Sequence, residues 1–373
     1  MMVAAAAGLP LAVSDVINND DLLSVIFMWY IDPRECLAIL MTCKRFDCLY
    51  RLRVPGPLRS SINRYCRRVE LTEWAISCGM PTEKLCTHAA TSGNLDVLQW
   101  LRGHNTHCPY PWSEDTCSGA ALGGHLSVLQ WLRAEEPPCP WDVYTCCRAA
   151  DSGHLDLLQW LRAQDPPCPW NEYACLNAAR DGQLSVLQWL RAQVPPCPWD
   201  DSSCCFAAAN GHLGVLQWLR AQVPPCSWNT STCFRAAAAG QLEILQWLRS
   251  QDPPCPWSSY TCNEAAANGH LHVLRWLRAQ SPPCPWDEYT CSYAAGFGDL
   301  EVLEFLRGES PPCAWNWQAC ASAAGSGHLK ALQWLRAQRP PCPWDPGGCR
   351  VRALRNLHPD RSAIIVSWIN SCL

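Results

Sequence analysis

The sequence lacks the patterns that mark membrane proteins, secreted proteins and most enzymes. It has no apolar run of the roughly 18 residues that a helix needs to cross a bilayer, so we expect no membrane contact. No Lys or Arg precedes Arg34, and Gly8 and Pro10 interrupt the apolar start, so residues 1–15 are interpreted as a disordered tail. The chain contains no Gly-rich phosphate loop, nucleophile elbow or recurring pair of catalytic carboxylates. These absences predict a protein that is not an enzyme and uses no cofactor.

The sequence also has no excess of positive charge. Its 29 Lys and Arg residues face 33 Asp and Glu residues, for a net charge of -4, which does not favour a general nucleic-acid binder. Cysteine is abundant, but the count of 27 is odd and the chain is rich in apolar residues, unlike a short disulfide scaffold. We therefore expect reduced thiols and an intracellular, cytoplasmic protein that acts as a monomer.

Tryptophan, cysteine and proline are enriched because the sequence is repetitive. One tryptophan recurs every 29 residues in a Pro-rich segment, at Trp112, Trp141, Trp170, Trp199, Trp228, Trp257, Trp286, Trp315 and Trp344. A second series lies in Leu-Gln-Trp-Leu segments, at Trp100, Trp131, Trp160, Trp189, Trp218, Trp247, Trp276 and Trp334, with Phe305 as the one substitute. The period indicates an array of small, equivalent structural units.

Each unit begins with a segment typical of a short helix with small residues on one face. Cys146, Ala149 and Ala150 are spaced i, i+3 and i+4, which places them together and permits a neighbouring helix to approach closely. Asp142 or Thr145 is predicted to cap the N-terminus of this helix. Gly153 follows where a left-handed residue would end it.

A second helix is predicted after the glycine. Leu155, Leu158, Trp160 and Leu161 form its apolar stripe, and Pro166 and the proline after it stop it, because proline cannot donate the next backbone hydrogen bond. A helix pair this short cannot bury its apolar faces by itself, so neighbouring pairs must stack around a shared core. The predicted fold is therefore an all-α helical-repeat solenoid.

This repeat resembles the ankyrin family. The segment Thr-Cys-x-x-Ala-Ala-x-x-Gly-His-Leu matches the ankyrin segment, with Cys146 where the family usually has Leu and with Gly153-His154 at its Gly-His. The ankyrin unit is longer, about 33 residues, and the missing residues fall in the loop that forms the family's β-hairpin. The Cys-Pro-Trp loops also resemble ankyrin arrays encoded by giant DNA viruses of amoebae. We assign nine repeats to residues 86–347, a linker and capping half-repeat to residues 56–85, and a C-terminal capping repeat to residues 348–373.

Residues 16–55 have a different pattern, predicted to form three short helices. Leu22-Leu23-x-x-Ile26-Phe27 is followed by Asp32-Pro33 and then by Cys43-Lys44-Arg45-Phe46. This segment resembles an F-box, the motif that docks onto a Skp-type adaptor of cullin ubiquitin ligases. The resemblance implies that the adaptor contacts are Leu22, Leu23, Ile26, Phe27, Pro33 and Leu37.

The F-box resemblance is incomplete, because Asn18-Asn19 stands where the family has Leu-Pro. The alternative is a helical cap that buries Leu22, Ile26, Leu37 and Leu40 against the first repeat. If the motif is an F-box, the resemblance implies an adaptor protein that links a target held by the repeats to a Skp/cullin ligase. A passive ankyrin scaffold or decoy without a ubiquitin link is the alternative function.

Two other chemistries are weighed against structural roles. Cys139, Cys146 and His154 suggest a metal site, but six residues separate the two cysteines and several units replace the histidine, so we expect buried thiols and a histidine that bonds the helix turn. The tryptophans are predicted to pack in the core rather than to stack on bases. A third alternative function is nucleic-acid binding, in which a row of arginines would contact the phosphates. The row consists of Arg133, Arg162, Arg191, Arg220, Arg249, Arg278, Arg307 and Arg336.

Positions that vary between units are not required by the fold and are therefore candidates for target recognition. The two positions after the helix-opening cysteine vary most, for example Cys147-Arg148 and Ser292-Tyr293. In ankyrin-like stacks the first helices line the binding surface, together with loop residues at their start. The predicted target contacts are Tyr144, Arg148, Tyr173, Asn177, Phe206, Phe234, Arg235, Glu264, Tyr289, Tyr293 and Trp317.

Overall fold

The computed structural model describes residues 69, 72–73, 85–103, 112–356 and 359–373. These residues form pairs of antiparallel helices, which we call the first and second helix of each unit. The first helices are α1 (Leu85–Thr91), α3 (Glu114–Leu122), α5 (Val143–Asp151), α7 (Glu172–Arg180), α9 (Asp201–Ala209), α11 (Thr230–Ala238), α13 (Ser259–Ala267), α15 (Glu288–Phe297), α17 (Trp317–Ser326) and α19 (Pro346–Leu354).

The second helices follow after a turn of a few residues. They are α2 (Leu95–Gly103), α4 (Leu126–Ala134), α6 (Leu155–Arg162), α8 (Leu184–Ala192), α10 (Leu213–Arg220), α12 (Leu242–Ser250), α14 (Leu271–Arg278), α16 (Leu300–Gly308), α18 (Leu329–Ala337) and α20 (Pro359–Ser371). None of the described residues is in a strand, so the loop at 135–142 and the equivalent described loops after it carry no β-hairpin. The predicted all-α repeat fold is confirmed.

The described chain divides into two compact units. The smaller contains the described residues up to Ala120 together with Ser127–Cys139, and the larger contains Ala121–Leu126 and the described residues from Pro140 onward. The F-box-like segment at residues 16–55 lies outside the described residues, as do its proposed contacts Leu22, Leu23, Ile26, Phe27, Pro33 and Leu37. No helix in the described ranges has the length and apolar character that crossing a membrane requires.

The ends of the first helices follow from their sequence. Asp142 is the N-cap of α5, and its carboxylate accepts a hydrogen bond from the Tyr144 amide at 3.0 Å. In α11, Asn229 accepts from the backbone while the Thr232 hydroxyl accepts from the Asn229 amide, so both predicted capping positions contribute. Gly153 has a φ of 77°, the left-handed conformation that the sequence predicted at the end of α5.

Within the larger unit, the first helices pack in sequence against one another, from α5 to α19. Cys146, Ala149 and Ala150 are completely buried on α5, as their i, i+3, i+4 spacing predicted. Short side chains at these positions permit close packing between neighbouring helices. The repeated Cys-x-x-Ala-Ala segment is therefore the packing face that joins successive units.

The buried face of the second helices differs from the predicted stripe. Leu157, Leu158 and Leu161 are completely buried on α6, whereas Leu155 and Trp160 are only half-buried. The core is formed by compact aliphatic side chains, and the large indole lies at its edge. The prediction that the tryptophans pack inside the core is therefore wrong for Trp160, because leucine and alanine already fill the core between the helices.

Candidate protein-interaction surface

The Pro-Pro-Cys-Pro-Trp loop is held in a fixed conformation by its cysteine. The Cys168 amide donates to the Leu161 carbonyl at 3.0 Å, and the Cys168 thiol donates to the Asp142 carbonyl at 3.5 Å. The Cys168 carbonyl accepts from the Cys146 thiol at 3.7 Å and from the Arg162 guanidinium at 2.6 Å. The cysteine thus satisfies four backbone or side-chain groups in a loop that has no regular secondary structure.

The thiols of this network lie in the interior of the fold. All the described cysteines are free of disulfides, and nearly all are buried. Hydrogen bonding to Cys168 and burial raise the pKa of the Cys146 thiol far above its ordinary value, and burial raises the pKa of Cys147 to about 12. Such thiols are protonated at neutral pH and are poor nucleophiles and metal ligands. Nowhere in the described ranges do three or more His, Cys, Asp or Glu side chains cluster as metal ligands would.

Tryptophan and arginine alternate along one edge of the larger unit. Trp170 and Trp189 pack edge to face with ring centroids 6.0 Å apart, and the Arg162 guanidinium carbon lies 4.0 Å from the Trp170 centroid. The same arrangement recurs with Arg191 over Trp199 at 4.0 Å. Each arginine also donates to the carbonyl of the cysteine six residues later, as Arg162 does. The arginine row therefore stabilises the loops.

The histidine that follows the turn glycine packs on the preceding unit. The His154 ring covers Gly124, and no side chain would fit on that glycine without a clash. His270 forms a hydrogen bond of 3.0 Å with the carbonyl of Ala238, which agrees with the prediction that the histidine bonds the helix turn. Gln183 replaces the histidine over Gly153 in the same way, which explains why glutamine is an acceptable substitute.

The predicted target contacts lie on the side of the first helices that other helices leave uncovered. Tyr144 and Arg148 are spaced i, i+4 on α5 and are both exposed, as are Tyr289 and Tyr293 on α15. We call this set the recognition strip, defined as Tyr144, Arg148, Tyr173, Asn177, Phe206, Phe234, Arg235, Glu264, Tyr289, Tyr293 and Trp317. All of its members are exposed or half-buried in the larger unit.

Fewer of the variable positions after the helix-opening cysteine are accessible than expected from the sequence. The first member of the variable pair is buried in most units, for example as Cys147, Leu176, Cys205 and Asn263, whereas Phe234 is half-buried. The first member follows the cysteine on the helix and still faces the neighbouring helix, so it can vary while remaining in the interior. The side chains that remain accessible are therefore the second member of most pairs, Phe234 and residues at the helix start.

The middle of the strip is a cluster of aromatic rings around one guanidinium. Arg235 lies 4.7 Å from the Phe206 ring centroid and 6.0 Å from that of Phe234. Phe234 packs against Tyr260 with ring centroids 6.4 Å apart, and Tyr260 is 61% exposed. Three consecutive first helices, α9, α11 and α13, bring these side chains together, although they are distant in sequence.

The remaining members occupy more polar surroundings. Arg148 forms an ion pair with Asp151 at 3.5 Å, and Arg180 pairs with both Asp151 and Asp181. The Asn177 amide donates to the Cys147 carbonyl at 3.4 Å, so part of its hydrogen-bonding capacity is used inside the fold.

The sequence groups Trp317 with Tyr144, but in its own unit Trp317 lies one residue before the position that is equivalent to Tyr144. The Arg352 guanidinium lies 5.6 Å from the centroid of the Trp317 ring. Of the other members, Glu264 is half-buried and Tyr173 is exposed.

Sequence reasoning missed three exposed or basic residues beside the strip. Phe297 is 49% exposed on α15, and its ring covers Gly269 in place of the histidine, because Asp299 stands at the histidine position. Arg352 and Arg355 lie on the capping unit next to it. The departure of this unit from the repeat pattern at Phe297 and Asp299 was the available signal.

Comparisons with known proteins show no family for this chain. No protein-family model matches it, and no curated protein does either. Among solved structures, the chain is similar to the pentatricopeptide repeat protein PPR10 in complex with an 18-nt psaJ RNA element, at 14% identity and a TM-score of 0.39. A second structure of the pentatricopeptide repeat protein PPR10, from maize, gives 13% identity and a TM-score of 0.35. The first alignment covers 95% of this chain but 53% of the PPR10 chain, so this chain spans about half of that protein's length.

Proposed function

We propose that this chain is a non-enzymatic protein-binding protein that holds a target on its recognition strip. The observation that carries the proposal is the aromatic cluster in which Phe206 and Phe234 flank Arg235 and the exposed Tyr260 packs on Phe234. This cluster lies at the surface of a scaffold whose own contacts repeat from unit to unit. The repeated cysteine, arginine and glycine contacts build the fold in every unit. The strip residues differ between units and add nothing to those contacts, as expected for a surface selected for binding.

The composition of the strip favours a protein target. Tyrosine, phenylalanine, tryptophan and arginine are the residues that most often anchor protein interfaces, because they bury large areas with few rotamers to immobilise. The strip also carries Glu264 beside its arginines, so it offers no continuous positive path for a phosphate backbone. The arginine row is engaged in hydrogen bonds to cysteine carbonyls, which weakens the alternative that it binds nucleic acid.

A pair of matched variants tests the strip. Phe206→Glu with Arg235→Glu changes the aromatic cluster, whereas Gln188→Glu with Gln217→Glu changes exposed positions of the second helices. Both variants should remain folded, and we expect quantitative affinity capture to lose a specific set of proteins only with the strip variant. Identical sets of captured proteins from the intact chain and both variants would contradict the proposal.

We further propose that the repeats are of the ankyrin type and that residues 16–55 form an F-box that delivers the target to a Skp/cullin ubiquitin ligase. This proposal rests on the order Leu22-Leu23-x-x-Ile26-Phe27, Asp32-Pro33 and Cys43-Lys44-Arg45-Phe46. The resemblance of the repeats to arrays of giant DNA viruses makes a host protein the proposed target. If no ligase binds, the chain is a scaffold or decoy that occupies its target.

Replacing Ile26 by Glu tests the ligase proposal separately. A charge inside a desolvated apolar contact costs several kcal/mol, so the variant should lose a Skp-type adaptor that the intact chain captures. The repeat array should stay folded, because its described units form their own buried core. If the intact chain captures no adaptor or cullin, or if the variant captures them equally well, the scaffold function replaces the adaptor function.

A further inference from the structure

An open pocket of about 470 Å³ lies at the C-terminal end of the larger unit. Tyr293 and Phe297 on α15 form one wall, and Arg352 and Arg355 form the opposite one. Small residues form the floor, including Gly296 and Gly325. The pocket therefore combines two exposed aromatic rings, two guanidinium groups and an uncovered stretch of helix surface.

The two glycines are not explained by packing. An added Cβ would lie 3.5 Å from Ser322 at Gly296 and 3.4 Å from Arg352 at Gly325, which are ordinary contacts, and neither glycine has a positive φ. Glycine is disfavoured in helices relative to alanine, and Ala267 stands at the same position one unit earlier. At these positions glycine weakens the helices without relieving a clash, and its effect is to leave the floor of the pocket open.

The charge at the pocket belongs to the capping unit. Residues 346–373 contain four arginines and one aspartate, so this unit is basic although the whole chain has a net charge of -4. Among the described residues, no carboxylate forms an ion pair with Arg352 or Arg355. A negatively charged group entering the pocket would meet unpaired guanidinium groups, which bind carboxylates through charge-assisted hydrogen bonds.

We propose that this pocket binds an acidic peptide segment of the target protein, with an aromatic or leucine side chain against Tyr293 and Phe297 and a carboxylate on Arg352 and Arg355. The proposal rests on the protein-binding function above and assigns its chemistry at one end of the strip. A peptide is favoured over nucleic acid because the positive charge is confined to one wall, while a phosphate backbone needs a longer basic path.

A random-peptide phage library panned on the full chain provides the probe, and the most enriched peptide is then labelled with fluorescein for anisotropy measurements. The expected peptides carry Asp or Glu close to an aromatic residue or leucine. Arg352→Glu with Arg355→Glu should weaken binding at least about tenfold, the loss expected when charged hydrogen-bond partners are removed. Gly296→Ala with Gly325→Ala should also weaken binding, while thermal unfolding shows the same or a higher midpoint.

Arg275→Glu with Arg339→Glu is the control, because it produces the same change in net charge at exposed positions that do not line the pocket. It should leave the affinity unchanged. Enriched peptides without an acidic residue, or equal binding by the Arg352/Arg355 variant, would overturn the pocket assignment. If the enriched peptide binds the Arg352/Arg355 variant equally well but no longer binds the variant with Phe206→Glu and Arg235→Glu, the peptide binds elsewhere on the strip. In that case the pocket assignment fails and the protein-binding function stands. Binding of a labelled oligouridine in place of any peptide would overturn both proposals.

Discussion

Arg162 donates a hydrogen bond of 2.6 Å to the carbonyl of Cys168, six residues later in the chain. The contact closes the Pro-rich loop onto the end of α6 and sets the guanidinium over Trp170. Because the same contact recurs at Arg191, Arg220 and Arg249, the arginine row is part of the repeat scaffold. For this reason we propose the exposed side of the first helices, and not the arginine row, as the partner surface.

Arg191→Ala is expected to destabilise the array by about 1–3 kcal/mol, because it leaves the Cys197 carbonyl without its charged donor and removes a cation–π contact. Urea unfolding followed by circular dichroism measures the loss. Arg339→Ala is the matched control, since Arg339 lies exposed in the loop after α18. Equal and small losses in the two variants would show that the arginine row is not structural.

The sequence was sufficient for the architecture but not for the faces of the helices. Periodicity identified the helix pairs, and the i, i+4 spacing of Cys146 and Ala150 identified the packing face, because both are local properties of the chain. It failed for Trp160, whose apolar character indicated burial. Whether a large ring lies inside or at the edge depends on how much space the neighbouring helices leave, which is a property of the tertiary structure.

The candidate surface could be predicted only in part for the same reason. Arg148 and Tyr293 vary between units and are exposed, whereas Cys147 and Ser292 vary and are buried. Variation shows that a position tolerates change, but it does not show which way the side chain points. The clustering of Phe206, Phe234 and Arg235 arises from the stacking of units and cannot be read from any single repeat.

The thiols should resist alkylation in the native protein. Iodoacetamide labelling at neutral pH, analysed by peptide mass spectrometry, is expected to modify the exposed Cys372 and to spare Cys146 and Cys168, which are buried. Hydrogen bonding and burial raise the pKa of Cys146, so almost no thiolate is present. All three should react after denaturation without reductant. Fast native labelling of Cys146, or an oxidised thiol in denaturant, would contradict the structural role of the cysteines.

The stability of the C-terminal units should decrease as the pH falls from neutral. Burial, together with the nearby charge of Arg361, lowers the pKa of His328 below its ordinary value, so the unfolded chain binds a proton more readily than the folded chain. The contribution of neutral His328 to the free energy of unfolding is therefore present above the pKa of about 6.5 that the histidine has in the unfolded chain. It is lost as the pH falls through the lower pKa that His328 has in the folded chain. Urea unfolding at pH 7.5 and 5.5 should therefore show a smaller pH effect for His328→Gln, since glutamine does not titrate. If the His328→Gln variant shows the same pH dependence as the intact chain, His328 is not the group that causes it.

Site-specific photocrosslinking in cells tests directly whether the first helices bind a target protein. A benzophenone amino acid placed at Phe206, in the middle of the recognition strip, should give a discrete adduct with a target protein, whereas the same group at Gln188, exposed on α8, should not. Both positions tolerate a large side chain without entering the core. Adducts at Phe206 alone are expected if the partner binds on the first helices. Adducts at Gln188 alone, or none at either position, would contradict the claim that the first helices carry the binding surface.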